Sequence, residues 1–71
     1  MTEIPTDLSA ERVIRALARA GFTIIRQGKH VSMVQGDRIV IIPRHHRLKR
    51  ETLRAIIRDA GLTVVDFKEL L

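Results

Sequence analysis

The chain has 71 residues, enough for a single domain with a small hydrophobic core. It contains no cysteine, which excludes a disulfide framework and a cysteine-ligated zinc site. Its longest purely apolar run spans the four residues 39–42, whereas a membrane helix needs roughly 18. We therefore expect one domain over residues 1–71 that is cytoplasmic and has no membrane partner.

A first helix is predicted directly after Ser9, because serine is a favourable N-cap residue. Apolar residues then recur at helical spacing as far as Ala20, and Gly21 marks the C-terminal end. The other face of this helix carries three arginines, which either contact RNA or are simply solvated: Arg12, Arg15 and Arg19.

Three β-type runs follow, over residues 22–27, 30–35 and 38–43. Gly28 separates the first two, and Gly36-Asp37 is a turn signal that predicts a hairpin between the second and third. The third run is almost entirely isoleucine and valine, which predicts a central position in the sheet. Pro43 ends it, because proline cannot donate to a strand ladder.

A loop over residues 44–48 leads to a second predicted helix over residues 50–60. Thr63 and Asp66 have the spacing of a capping box for a short last helix. The predicted class is α+β, with the order αβββα followed by that short helix. A three-stranded antiparallel sheet with two helices on one face is the simplest way to bury the apolar stripes.

The positive charge is concentrated in residues 44–58, where Glu51 is the only carboxylate. The charge of this segment equals the +5 of the whole chain. A one-sided basic patch is typical of polyanion binders, although arginines also keep a small domain soluble. We predict RNA contacts at the basic residues of this segment: Arg44, Arg47, Lys49, Arg50, Arg54 and Arg58.

The sequence offers little for metal or cofactor chemistry. The carboxylates are scattered, and the glycines match neither a phosphate-binding loop nor a dinucleotide fingerprint. Adjacent His45 and His46 lack the four-residue spacing of a helical metal-binding pair. We therefore predict no metal and no cofactor.

A histidine beside cations can cleave RNA without a metal, because RNA supplies its own nucleophile, the 2′-hydroxyl. His30 lies at the predicted start of a strand, directly after Gly28 and Lys29. A base there would withdraw the hydroxyl proton while cations stabilise charge on the phosphorus. On spacing alone, a histidine at such a place is usually an ordinary surface residue.

Four segments resemble the HicA toxins of HicA–HicB toxin–antitoxin systems, namely LARAGF at 17–22, RQGKH at 26–30, IPRH at 42–45 and LRAIIRDAGL at 53–62. They occur in order and without large gaps, and the resemblance runs from about Ser9 to Leu71. It implies a double-stranded-RNA-binding-domain-like fold and metal-independent cleavage of mRNA. It also implies neutralisation by a HicB-like antitoxin, with which higher-order oligomers are expected.

The resemblance also implies that His30 is catalytic, since the catalytic histidine of the family follows a glycine-serine pair. Lys29 stands where serine is usual, so it either supplies a cation beside the scissile phosphate or weakens the site. His45, in the family-like Pro-Arg-His, is either a general acid or a loop histidine packed on the sheet. We predict RNA contacts at both Lys29 and His45.

Two other functional classes stay open. A non-catalytic module of the same fold would read the shape and 2′-hydroxyls of RNA and need no titrating residue. A protein-interaction domain would use its basic face for an acidic partner. The only two aromatics, Phe22 and Phe67, are both placed for the core, so base stacking on exposed rings is not expected.

Overall fold

The computed structural model of the chain describes residues 3–71. Its elements confirm the predicted α+β class and the arrangement of double-stranded-RNA-binding domains. In chain order they are α1 (Ala10–Arg19), β1 (Thr23–Gln27), β2 (His30–Gln35), β3 (Arg38–Pro43), α2 (Arg50–Asp59) and α3 (Val64–Leu70).

The three strands form one antiparallel sheet in the order β1-β2-β3. The prediction that residues 38–43 form the central strand is wrong, because two successive hairpins place β2 in the centre and β3 at an edge. β3 carries apolar residues on both faces, but only one of these faces is buried. Val40 and Ile42 are fully buried, whereas Ile39 and Ile41 point the other way and are 57% and 56% exposed.

Side-chain hydrogen bonds fix the start of two helices. The backbone N–H of Arg12 donates to Oγ of Ser9 at 3.3 Å, as the predicted cap requires. The predicted capping box of α3 is also present, with Asp66 N–H donating to Thr63 Oγ1 at 3.0 Å and Thr63 N–H donating to Asp66 Oδ2 at 3.3 Å. None of the helices within residues 3–71 is long and apolar enough to cross a membrane.

The core lies between one face of the sheet and the helices. Phe22 and Phe67 are both buried there, as predicted. The opposite face, formed by alternate residues of β2 and β3 such as Ser32, Ile39 and Ile41, is packed against no element among residues 3–71; we call it the uncovered face. The largest fully buried side chains are Phe67, Leu17, Met33, Ile42, Leu53, Val13, Val31 and Val40.

The turn between β2 and β3 contacts the ends of both long helices. Gln35 and Arg38 are paired across this hairpin. Gln35 Nε2 donates to the carbonyl of Ala20 at 2.9 Å, just after α1, and Arg38 Nη1 donates to the carbonyl of Asp59 at 3.5 Å, at the end of α2. One turn thus supplies donors to the otherwise unpaired carbonyls at two helix ends.

Candidate active site and RNA interface

His30 is the first residue of β2 and is exposed. Val31 and Met33 are the buried residues of this strand, so the alternation of side chains directs His30 to the uncovered face. Its partner across the sheet is Pro43, the last residue of β3. The sheet therefore holds the imidazole at one end of the uncovered face, open to solvent.

The turn before His30 leaves free space beside its backbone. Gly28 N–H donates to the carbonyl of His30 at 3.1 Å, which closes the turn. A Cβ atom built on Gly28 would meet no atom within 4 Å, so the packing of the described residues does not require glycine there. Lys29, next to His30, is exposed. A phosphate group would meet no steric obstacle at Gly28.

Arg44 ties this turn to the loop that follows β3. Its backbone N–H donates to the carbonyl of Lys29 at 3.4 Å, and its Nη2 donates to Gln27 Oε1 at 2.9 Å. The structure therefore brings three predicted site residues, Lys29, His30 and Arg44, to the same end of the sheet. Arg44 holds both sides of the turn that carries His30.

His45 and His46 lie on the other side of the sheet from His30. The backbone of His45 is fixed, because its N–H donates to the carbonyl of Pro43 at 2.9 Å and its carbonyl accepts from Ala10 N–H at 3.0 Å. Both histidines line a groove of about 750 Å³ beside α1 and β1, which we call the helix-side groove. Its lining includes Ile14, Ile24, Gln27, Arg44, His45 and His46.

The structure thus does not bring the imidazoles of His45 and His30 to one face. His30 does not line the helix-side groove, whereas residues of the covered sheet face do, such as Val31. Within residues 3–71, no three His, Asp or Glu side chains are grouped as a metal site would require.

The remaining basic residues lie on α2 and just before it. Arg50, Arg54 and Arg58 follow one another every four residues on the exposed side of this helix. Arg58 Nε lies 3.3 Å from Asp59 Oδ1, and Arg47 Nε lies 3.2 Å from Asp7 Oδ1. Such exposed pairs are weak and can exchange with phosphate. The predicted patch therefore consists of a row along α2, of Lys49 and Arg47 ahead of it, and of Arg44, which is hydrogen-bonded to the turn that carries His30.

Sequence reasoning missed the helix-side groove and, with it, Gln27 and Ile24. Strand alternation puts Gln27 opposite Val31, on the covered face of the sheet. A polar side chain on a core-facing position is a sign that the core ends there. Only the fold shows that α1 and the loop after β3 leave a groove beside it.

A comparison with curated proteins found no similar sequence. The family model described as the HicA toxin of bacterial toxin–antitoxin systems matches residues 10–62. This match spans α1, the whole sheet, α2 and the turn after it, and so includes the His30 turn, Arg44 and the arginine row. The chain therefore belongs to the HicA toxin family and is the toxin member of a toxin–antitoxin pair.

Proposed function

We propose that this toxin is a metal-independent endoribonuclease that cleaves mRNA with His30 as its general base. The imidazole takes the proton of a 2′-hydroxyl, and the 2′-oxygen then attacks the adjacent phosphorus. The bond from phosphorus to the 5′-oxygen breaks, leaving a 2′,3′-cyclic phosphate on one fragment and a 5′-hydroxyl on the other. Since His45 lies on the other side of the sheet, we assign protonation of the leaving oxygen to water.

The observation that carries this proposal is the position of His30. A general base must reach its proton within hydrogen-bond distance, so it has to be accessible and held in place. His30 is exposed, yet its backbone belongs to a strand paired on both sides, with β1 and with β3. Free space beside Gly28 gives a phosphate access to it.

Cations next to His30 support the same chemistry. Negative charge grows on the phosphoryl oxygens as the 2′-oxygen attacks, and fixed cations stabilise it. Lys29 is adjacent in sequence, and Arg44 is hydrogen-bonded to the same turn. We propose that Lys29 contacts the scissile phosphate, and that Arg44, whose guanidinium bonds to Gln27 at the helix-side groove, holds the turn and contacts the RNA next to that phosphate. The row on α2, with Arg47 and Lys49, would hold the RNA backbone farther along through salt-sensitive contacts.

We propose that the antitoxin partner is HicB-like and acidic. The toxin has a net charge of +5, and its exposed arginines would steer a negatively charged partner. An inhibitor that covers His30 and residues 44–49 would exclude RNA. This assigns the antitoxin and the substrate to the same surface.

A second candidate function is supported by the fold itself. The αβββα arrangement also serves domains that bind double-stranded RNA by shape without cutting it. Such a module would not depend on His30. A cleavage assay with the purified protein therefore separates the two functions.

The test is cleavage of mRNA in excess chelator by wild-type protein and by His30→Ala. We expect wild-type activity to persist and the variant to lose about 10²–10⁴-fold, the usual contribution of a general base. Added imidazole should restore part of the lost rate, because the exposed position leaves room for a free base. RNA affinity and thermal stability should stay unchanged. If folded His30→Ala cleaves RNA at the wild-type rate, His30 is an ordinary surface residue.

A further inference from the structure

The helix-side groove has the shape and chemistry of a nucleotide-binding site. We infer that it binds one nucleotide of a single-stranded RNA, adjacent to the phosphate that His30 addresses. This inference rests on the proposed ribonuclease function and adds a base subsite to it. The groove volume of about 750 Å³ is in the range of small-molecule sites, which are commonly 300–1,000 Å³.

The floor of the groove is aliphatic. Ile14 on α1, Ile24 on β1 and Val31 on β2 all line it. Ile24 is 42% exposed, so apolar surface there remains accessible to a ligand. A nucleobase has two flat apolar faces, and covering this floor would remove apolar surface of both molecules from water.

The residues along one wall of the groove are cations or have hydrogen-bonding side chains. This wall carries Arg44, His45 and His46. Guanidinium and imidazole planes stack on bases and also pair with phosphate. Gln27 Oε1 accepts from Arg44, so the Gln27 amide is oriented with its NH₂ group available as a donor to a base. A carbonyl or ring nitrogen of a base would accept that hydrogen bond.

Arg44 connects the groove with the His30 turn. It lines the groove and donates from its side chain to Gln27, another lining residue, while its backbone N–H bonds to the carbonyl of Lys29. The sheet is a single layer at this end, so an RNA strand that crosses the turn meets His30 on one side and the groove on the other. This continuity, together with the positive wall, favours a nucleotide over an apolar side chain of a partner protein.

The lack of exposed aromatic rings makes such a groove more important for single-strand binding. Both phenylalanines are buried, so stacking on aromatic side chains is not available for an unpaired base. The groove is concave and is lined by apolar and polar residues alike. Recognition of an unpaired base by this chain would therefore use an aliphatic floor with guanidinium and imidazole groups.

The test uses a short all-deoxy oligonucleotide, which has no 2′-hydroxyl and cannot be cleaved by the proposed mechanism. Backbone amide signals of ¹⁵N-labelled protein should shift on titration at Ile14, Ile24 and Val31. Ile24→Asp should weaken binding at least tenfold, because it puts a carboxylate on the floor. Its matched control is Val65→Asp on α3, since Val65 is a similarly exposed apolar residue, at 48%. This control carries the same added charge and should bind as the wild type does.

A second variant covers the case in which Ile24→Asp fails to fold. Gln27→Ala removes the amide donor and the hydrogen-bond partner of Arg44, so it should also weaken binding of the oligonucleotide. Wild-type affinity in folded Gln27→Ala, or shifts confined to α2, would overturn the inference. The inference would also be overturned if an acidic antitoxin shifted the signals of the groove residues and the oligonucleotide did not. Since the probe is never cut, groove binding without RNA cleavage would refute the ribonuclease proposal and leave the subsite standing.

Discussion

At the residue scale, the turn over Gly28 and Lys29 differs from the other glycine turns of the chain. Gly21 and Gly61 have φ angles of +101° and +74°, in the left-handed region that favours glycine. A Cβ on Gly61 would collide with the Arg38 guanidinium, whereas a Cβ on Gly28 would meet no atom within 4 Å. The glycine at 61 is thus required by the fold, and the glycine at 28 is not.

This contrast predicts different effects of the same substitution. Gly28→Ala should leave the free energy of unfolding nearly unchanged but lower RNA cleavage, because its methyl group would occupy the space beside the scissile phosphate. Gly61→Ala should lose more than about 1 kcal/mol of stability, since the backbone conformation is unfavourable for alanine and the Arg38 side chain must move. Chemical denaturation and a cleavage assay on both proteins would check this. Full cleavage by Gly28→Ala would show that no phosphate approaches there.

The site residues were only partly predictable from the sequence. Family resemblance pointed to His30, and a net charge confined to one segment pointed to the arginines. The separation of His45 from His30 could not be foreseen, because adjacent segments of a chain reach opposite faces of a sheet through loop geometry alone. The partnership of Gln27 with Arg44 is a contact between residues 17 positions apart, which local patterns do not encode.

At the element scale, α2 presents a regular row of arginines. Its three arginines are spaced one turn apart on the exposed side, while Leu53, Ile56 and Ile57 anchor the helix in the core. A row with this regular spacing can follow a phosphate backbone. Arg54 stands in the middle of the row and makes no ion pair with any residue in 3–71.

Charge reversal in this row should weaken RNA binding to all sequences alike. We expect Arg54→Glu to lower affinity and to reduce the slope of log affinity against log salt by about 1, as loss of one phosphate contact requires. Fluorescence anisotropy of a labelled RNA over a salt series measures both quantities. Lys68→Glu on α3 is the matched control, because it reverses an exposed cation on another helix. Equal effects of the two reversals would mean that net charge, not the α2 row, determines affinity.

The elements themselves were well predicted, with one instructive exception. Helix ends followed from local chemistry at Ser9, Thr63 and Asp66, where capping needs only neighbouring residues. The predicted position of β3 was wrong because a run of isoleucine and valine was interpreted as the sign of a central strand. An edge strand with an uncovered apolar face produces the same pattern, and single-sequence periodicity cannot distinguish them.

At the scale of the whole molecule, charge and exposed apolar surface lie close together. The uncovered face presents Ile39 and Ile41 on an edge strand, and His30 lies at the end of that face. An edge strand of this kind is prone to pairing with another chain. Two copies of a chain with charge +5 repel each other, so an acidic partner is the better match for this surface.

We therefore expect the antitoxin to pack on the uncovered face. Ile41→Ser removes apolar contact area without changing the charge, so it should weaken the toxin–antitoxin complex at least tenfold, equivalent to about 1.4 kcal/mol, while leaving RNA cleavage intact. The control is Val65→Ser, the same kind of change at a similarly exposed position on α3. Isothermal titration with the antitoxin measures the difference. If Val65→Ser weakens the complex and Ile41→Ser does not, the antitoxin binds elsewhere.

The turn between β2 and β3 also couples the ends of the two long helices. Gln35 and Arg38 attach the ends of α1 and α2 to one hairpin, although these helices are about 30 residues apart in the chain. Opening that turn breaks both hydrogen bonds at once, so we expect the two helix ends to loosen together. Proteases cut the locally open form of a protein, and an opening shared by two helices exposes sites on both. The susceptibility of both helix ends to proteolysis would therefore follow the opening of a single hairpin turn.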